Sequence, residues 1–218
     1  MTPDTRVPTG PAAGVDTGQA GLLLLRGAPP EVSDWVRRGV VPVTVAPLPG
    51  WTAVLPNGPS RAEPPYDDAL TLLAARHVPP KVAPAIGFFA IGGRAVITVQ
   101  TRSVRRHVRW VVWDPARGVL RPPDLAVAPP QLLLRAAGGG DRRELVEILA
   151  ERHLAPHKLL AAVTAVLGLP GGRLLIDRTE VEDIAGAIDR EPLEREVGYF
   201  EDAVKDSVRL RRELELEA

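Results

Sequence analysis

The chain has 218 residues, enough for one sizeable domain or for a domain with an appended helical lobe. Its 45% hydrophobic and 25% charged residues are typical of soluble globular proteins, and its formal net charge is zero. The absence of cysteine excludes disulfides, thiolate metal sites, iron–sulfur clusters and cysteine nucleophiles.

Hydropathy and amino-acid composition indicate the expected cellular location and source of the protein. No apolar run approaches the roughly 20 residues of a membrane helix, and no basic segment opens the chain as in a secretory signal. We therefore expect a cytoplasmic protein with no membrane contact. Arginine outnumbers lysine 24 to 3, which is typical of GC-rich coding and suggests a bacterial source.

The first part of the chain is predicted to alternate short strands and helices after a disordered tail. The tail, residues 1–20, is rich in Pro, Gly and Thr and almost lacks bulky apolar residues. Then follow a buried strand in 21–27, a helix in 29–39, extended segments 40–46 and 51–55, and a helix in 64–78. Prolines in the extended segments favour a position near a sheet edge. In the second helix, Leu70, Leu73 and Ala74 share one face.

The middle of the chain predicts an antiparallel meander. Two apolar runs meet at Gly92 and Gly93, and a tight hairpin turn favours glycine at both positions. A second reversal lies within 103–106, and a third follows at "DPARG", where Pro115 fixes φ and Gly118 is permissive. The predicted strands are 86–91, 94–102, 107–113 and 119–121. Strands that follow one another without crossover helices exclude a parallel βαβ arrangement.

After Pro130 the pattern becomes helical. Three helices are expected before "RLLID", which is predicted as a short strand, and a capping box of Thr179 with Glu182 follows. The last 25 or so residues predict one long helix. The predicted class is therefore α+β, with a mostly antiparallel sheet, two early helices and a helical C-terminal third. We divide the chain into the tail 1–20, a sheet domain 21–135 and a helical region 136–218 packed on or projecting from it.

A basic hairpin is the first candidate contact surface. Residues 94–121 hold seven arginines against one aspartate, a net charge of +6, and Arg102, Arg105, Arg106 and Arg109 gather around its tip. Such a cluster could contact phosphates or an acidic protein surface. The interpretation that we favour is a solvated turn, or a sheet edge that its charge protects from aggregation. Alternation places the two tryptophans, Trp110 and Trp113, on opposite sheet faces, which favours packing over base stacking.

The terminal helix is the second candidate. Val197, Phe200, Val204 and Val208 follow spacings of 3, 4 and 4, so they form one apolar face. Residues 177–218 carry 14 acidic against 7 basic side chains, opposite in sign to the hairpin. The helix either folds back along its whole length or packs on the domain first and then projects toward a partner or a second copy. The sequence leaves both arrangements open.

Catalytic and metal-binding signals are weak, so we predict no catalytic residue, no metal and no cofactor. His153 and His157 are four apart, but Pro156 interrupts the helix that metal binding needs. The glycine-rich stretch before Asp141 lacks the lysine and Ser/Thr of a phosphate-binding loop. None of the four serines lies in a nucleophile-elbow pattern.

Three functional hypotheses follow. The first is a non-enzymatic interaction protein, of the adaptor, assembly or chaperone-like kind, that uses the terminal helix and the basic hairpin and binds a protein partner or itself. The second is a module that binds anions or nucleic acid through the arginines of 102–109, although the zero net charge argues against a dedicated nucleic-acid binder. The third is an enzyme whose active site is assembled from distant residues.

Overall fold

The computed structural model describes residues 20–102 and 107–216. The predicted tail therefore lies outside the described residues except for Ala20. Within the described ranges the chain forms six α-helices and eight strands in one sheet, which confirms the α+β class. The elements are β1 (Gly21–Leu25), α1 (Pro29–Val36), β2 (Val43–Leu48), β3 (Trp51–Pro56), α2 (Ala69–Ala75), β4 (Ala85–Ile91), β5 (Arg94–Gln100), β6 (Arg109–Asp114), β7 (Gly118–Leu120), α3 (Pro130–Ala137), α4 (Arg142–Ala150), α5 (Pro156–Val166), β8 (Ile188–Arg190) and α6 (Glu194–Leu216).

The sheet is antiparallel throughout and has the order β7-β6-β5-β4-β1-β3-β2-β8. Strand β1 lies near its centre and pairs with β3 and β4. All four leucines of β1 are buried because the sheet is covered on both faces. Leu22 and Leu24 belong to one apolar cluster, and Leu23 and Leu25 belong to the other. A continuous apolar run in the sequence is the expected signature of such a strand.

Two helical layers sandwich the sheet. Helices α3, α4 and α5 supply Leu133, Leu145 and Leu159 to the cluster on one face. Helices α1 and α2 supply Val32 and Leu73 to the cluster on the opposite face. Burial of an apolar side chain of this size contributes about 1.5–3 kcal/mol, so the two clusters are the main source of stability. None of the described helices combines the length and apolarity that crossing a bilayer requires.

The four antiparallel strands of the predicted meander are confirmed, with ends that differ by at most two residues from those predicted. The second predicted reversal, within 103–106, lies outside the described residues. Gly92 and Gly93 have φ angles of 54° and 74°, and a two-residue hairpin turn requires such positive values. The pairs Val96–Val112 and Ala95–Trp113 set the register of β5 against β6. In this register the two tryptophans lie on opposite faces, as predicted: Trp113 is fully buried among the α3–α5 layer, and Trp110 packs partly against the other cluster.

The turn after β6 is held by one aspartate. The Asp114 carboxylate accepts hydrogen bonds from the backbone N–H groups of Ala116 at 3.0 Å and Arg117 at 3.2 Å. Its second oxygen accepts from Arg94 Nε at 3.2 Å. The bond from Ala116 and then that from Arg94 hold the pKa of Asp114 below its ordinary value of 3.8. The sequence "DPARG" therefore specifies both the reversal and its anchor.

This lowered pKa makes the turn sensitive to acid. A carboxylate whose pKa is lower in the folded than in the unfolded state contributes stability above its unfolded pKa, and that contribution is lost as the pH falls through the folded value. We expect Asp114→Asn to lower the free energy of unfolding near neutral pH, and the deficit to shrink as the pH falls below about 4. Urea denaturation of both proteins between neutral pH and pH 3 measures this, and a deficit that is constant with pH would contradict it.

Two elements of the C-terminal region differ from the prediction. The segment "RLLID" is not a strand, because Leu174 and Leu175 are buried in a 3₁₀ helix, Gly172–Leu175, instead of alternating between faces. The capping residue that follows is Asp177, whose carboxylate accepts from the N–H of Thr179 at 2.9 Å, and only a 3₁₀ helix, Arg178–Val181, results. The strand that the sequence did not reveal is β8, which pairs with β2. The predicted regions 21–135 and 136–218 thus share one sheet.

Both edges of the described sheet are short. The edge strands β7 and β8 have three residues each. Strand β2 extends past β8, but Pro47 lies there and has no N–H to donate. Short edges and proline prevent a second strand from adding to a sheet. The described edges therefore disfavour the addition of a further strand.

Candidate functional site

The first turns of α6 are fixed on the domain. The N–H of Leu193 donates to the carbonyl of Arg37 at the end of α1, at 2.9 Å. Val197 and Phe200 then pack against the cluster of the α1–α2 face. The ring of Phe200 meets that of Tyr66 edge to face, with centroids 5.4 Å apart. Aromatic pairs in this arrangement add about 0.5–1.5 kcal/mol beyond the area they bury.

The remainder of α6 leaves the domain. Its 23 residues span about 34 Å at 1.5 Å per residue. Every described side chain from Lys205 to Glu213 is exposed, including Val208 at 43% and Leu210 at 58%. Tyr199, on another side of the helix, is 69% exposed. Helix α6 thus packs through its first turns, and its described side chains beyond Val204 are exposed.

A groove runs between the projecting helix and the loop 62–66, and we call it the α6 groove. Its volume is about 620 Å³. The loop contributes Pro64, Pro65 and Tyr66, and the helix contributes Phe200, Val204 and Val208, which lie one turn apart along one face. Charged side chains flank this apolar stripe on the helix: Glu201, Lys205, Arg209, Arg212 and Glu213. An apolar floor with a charged rim is typical of a surface that binds an amphipathic segment.

Three of the four predicted helix residues line this groove together. Phe200, Val204 and Val208 do so, whereas Val197 packs under the helix against the domain. The other wall, formed by Tyr66 and its neighbours, could not be predicted, because Tyr66 is 134 positions away from Phe200 and leaves no periodic signal near the helix. The flanking charges Lys205, Arg209 and Arg212 follow i, i+4 and i+7 spacing and were open to detection as a second stripe.

A partly buried guanidinium lies at the base of α6. Arg76 follows α2, stacks on the Trp35 ring at 4.1 Å, and donates to the carbonyls of Trp35 at 2.5 Å and Val36 at 3.4 Å. Burial lowers its pKa to about 10, against the opposing effect of Glu196 on α6. The side chain complements the negative end of the α1 dipole. Arg76 therefore joins α1, α2 and the docked turns of α6.

The described arginines of the basic hairpin do not line the α6 groove. Arg105 and Arg106 lie outside the described residues. Arg102 donates to the carbonyl of Ala83 at 2.7 Å, and Arg109 donates to the carbonyl of Val127 at 3.4 Å. Each of these two guanidinium groups thus has a backbone partner within the fold. The described part of the hairpin gives no geometry for a bound anion.

A polar cavity of about 380 Å³ lies beside β8. There the hydroxyl of Thr44 donates to Asp189 at 2.6 Å, which ties β2 to β8. Desolvation lowers the pKa of the neighbouring Arg178, and Asp189 opposes this shift. Since the polar groups of Thr44 and Asp189 satisfy each other, the geometry is that of a strand connection. Among the described residues, no three His, Asp or Glu side chains are grouped as metal ligands.

The fold and the groove together define an α+β protein with one antiparallel sheet between two helical layers and a projecting C-terminal helix. The chain matches no protein-family model, no curated protein and no solved structure at a significant level.

Proposed function

We propose that the protein is a non-enzymatic interaction protein, of the adaptor, assembly or chaperone-like kind, and that α6 with its groove is the contact surface. One observation carries the proposal: a helix that is anchored by its first turns projects apolar residues into solvent above a preformed apolar groove. Apolar surface of this kind, rimmed by charge, marks interaction sites on globular proteins. The sheet and its two layers would then serve as a rigid platform that orients the helix.

The hypothesis of an anion-binding module receives less support. Its four arginines include two that donate to backbone carbonyls, Arg102 and Arg109, and two that lie outside the described residues. The proposal for α6 does not depend on them. Nucleic acid recovered with the protein, and removed by nuclease, would favour the anion-binding hypothesis instead.

The test replaces one exposed valine of α6. Val208→Asp places a charge on the apolar stripe without touching the domain core, since Val208 is 43% exposed. Loss of a buried valine contact, at about 1.5–3 kcal/mol, corresponds to at least about a tenfold weaker association. We expect affinity purification of the tagged full chain from native lysate, with and without nuclease, to recover its protein partner in stoichiometric amount from the parent and far less from the variant.

A matched control is available on the opposite layer. Val146 on α4 is a helical valine with 46% exposure, so Val146→Asp makes the same chemical change at a similar site. We expect this variant to recover the partner as the parent does. Equal recovery by Val208→Asp, Val146→Asp and the parent would contradict the proposal, and so would a parent that recovers no protein partner, neither another protein nor an untagged copy of itself.

A further inference from the structure

We propose that the occupant of the α6 groove is the projecting half of α6 from a second copy of this chain, paired antiparallel about a two-fold axis. The inference rests on the proposed function, because it takes α6 as the contact surface, and it names the partner. Three features of the described residues support it. An apolar stripe on α6 is partly exposed, the charge changes sign along the helix, and both the stripe and the charged residues line the same groove.

The apolar stripe needs a partner of its own length. Phe200, Val204 and Val208 occupy the groove side of α6 over about two turns, or some 12 Å. Val208 is 43% exposed, and Leu210 on the same turns of the helix is 58% exposed. The α6 helix of a second copy carries a stripe of the same length, and its Val208 is exposed to the same extent. Each copy can therefore bury what the other exposes.

The charge along α6 changes from acidic to basic where the exposed turns begin, and it becomes acidic again at Glu213. Residues 194–202 hold four acidic and one basic side chain, a net charge of −3. Residues 205–212 hold four basic and one acidic side chain, a net charge of +3. A parallel pair would place like charge beside like charge, whereas an antiparallel pair places the acidic segment of each helix beside the basic segment of the other. Complementary potentials of this kind fix the orientation of helices in contact.

A two-fold axis satisfies both copies at once. The groove side of α6 extends from Phe200 to Glu213, so its midpoint lies between Asp206 and Ser207. An axis there brings Glu201 of each copy opposite Arg212 of the other, and both side chains line the groove. Such an interface is isologous: each ion pair occurs twice, and both grooves are filled.

The expected dimer is of moderate affinity. Each copy contributes one short helical face and one loop to the contact. Such a contact buries less accessible surface than the roughly 1,600 Å² of a standard interface. We therefore expect a dissociation constant in the micromolar range and an oligomeric state that depends on concentration. Sedimentation velocity of the purified full chain over about a hundredfold range of concentration measures this equilibrium.

Charge reversal gives the decisive test. In a dimer of Glu201→Arg, an arginine at 201 faces Arg212 of the other copy in both contacts. In a dimer of Arg212→Glu, a glutamate at 212 faces Glu201 in both contacts. Each variant alone should therefore dimerise at least about tenfold more weakly than the parent. An equimolar mixture of the two variants should form a heterodimer, because each contact again joins opposite charges. The double variant should recover the parental affinity by the same reasoning. Arg143→Glu on α4 is the matched control and should leave dimerisation unchanged, since its ion pair with Glu147 lies on another helix.

The absence of native cysteine allows a test of orientation. We expect a mixture of Glu201→Cys and Arg212→Cys proteins to form a disulfide between the two variants under mild oxidation, in preference to a disulfide between two Arg212→Cys chains. A preference for the 212–212 disulfide would indicate a parallel pair and would overturn the proposal. A parent chain that stays monomeric at every concentration would also overturn it. In that case, loss of another protein in the Val208→Asp purification would leave the proposed function intact with a different partner.

Discussion

We expect Trp113→Ala to lower the free energy of unfolding by about 3–5 kcal/mol, the range typical of removing large core side chains. Trp113 is fully buried on β6 within the cluster of the α3–α5 face. Its indole N–H also donates to the carbonyl of Glu151 at the end of α4, at 3.1 Å. The substitution therefore leaves a cavity and removes a link between the sheet and the helical layer. Urea denaturation at neutral pH measures the change.

The control is the other tryptophan of the same strand. Trp110 is only partly buried, on the opposite face, so Trp110→Ala should destabilise the protein clearly less than Trp113→Ala does. Trp113→Phe should give an intermediate value because it keeps an aromatic ring and loses the hydrogen bond. Equal losses for Trp110→Ala and Trp113→Ala would contradict the assignment of the two faces.

We expect Arg76→Ala to lower the free energy of unfolding by about 1.5–3 kcal/mol, because the variant loses hydrogen bonds made by a charged group within the fold. The variant loses the stacking on Trp35, two bonds to α1 carbonyls, and the side chain that fills the space beside Gly39. A Cβ on Gly39 would lie only 2.4 Å from Arg76 Nη1, which illustrates how closely the guanidinium is enclosed. Chemical denaturation of the variant measures the loss.

An exposed arginine provides the comparison. Arg61 forms an ion pair with Glu191 at 2.8 Å, with both side chains more than half exposed. Exposed ion pairs contribute about 0–1 kcal/mol to the free energy of unfolding. Arg61→Ala should therefore destabilise the protein clearly less than Arg76→Ala, although Arg61 donates to a carboxylate and Arg76 donates to carbonyls. The opposite order of the two losses would show that burial of Arg76 carries no net stabilisation.

The middle of the fold could be predicted from the sequence because its signals are local. Gly92 with Gly93, and Asp114 with Gly118, specify two turns within a few residues of chain. The apolar alternation between these turns then sets the faces of β5 and β6. Strand order could not be predicted in the same way. The pairing of β2 with β8 depends on contacts such as that of Thr44 with Asp189, 145 positions apart.

The helix side of the candidate site could also be predicted, and its other wall could not. Periodicity identified Phe200, Val204 and Val208 as one face. The groove exists only because Tyr66 and the two prolines before it meet this face at its docked end, a contact between segments distant in the chain. The direction of the projecting turns likewise follows from where Leu193 bonds to Arg37, which no local pattern encodes.

The late position of β8 has a consequence for synthesis of the chain. A ribosome adds about 5–20 residues per second, so roughly 7–30 s pass between the addition of Thr44 and that of Asp189. Strand β2 therefore cannot pair with β8 during that time. During this interval the hydrogen-bonding edge of β2 is open to strands of other nascent chains. Pro47 interrupts that edge, and Thr44 is its polar residue among valines. The same proline that indicated an edge strand in the sequence would thus protect the growing polypeptide before its sheet is complete.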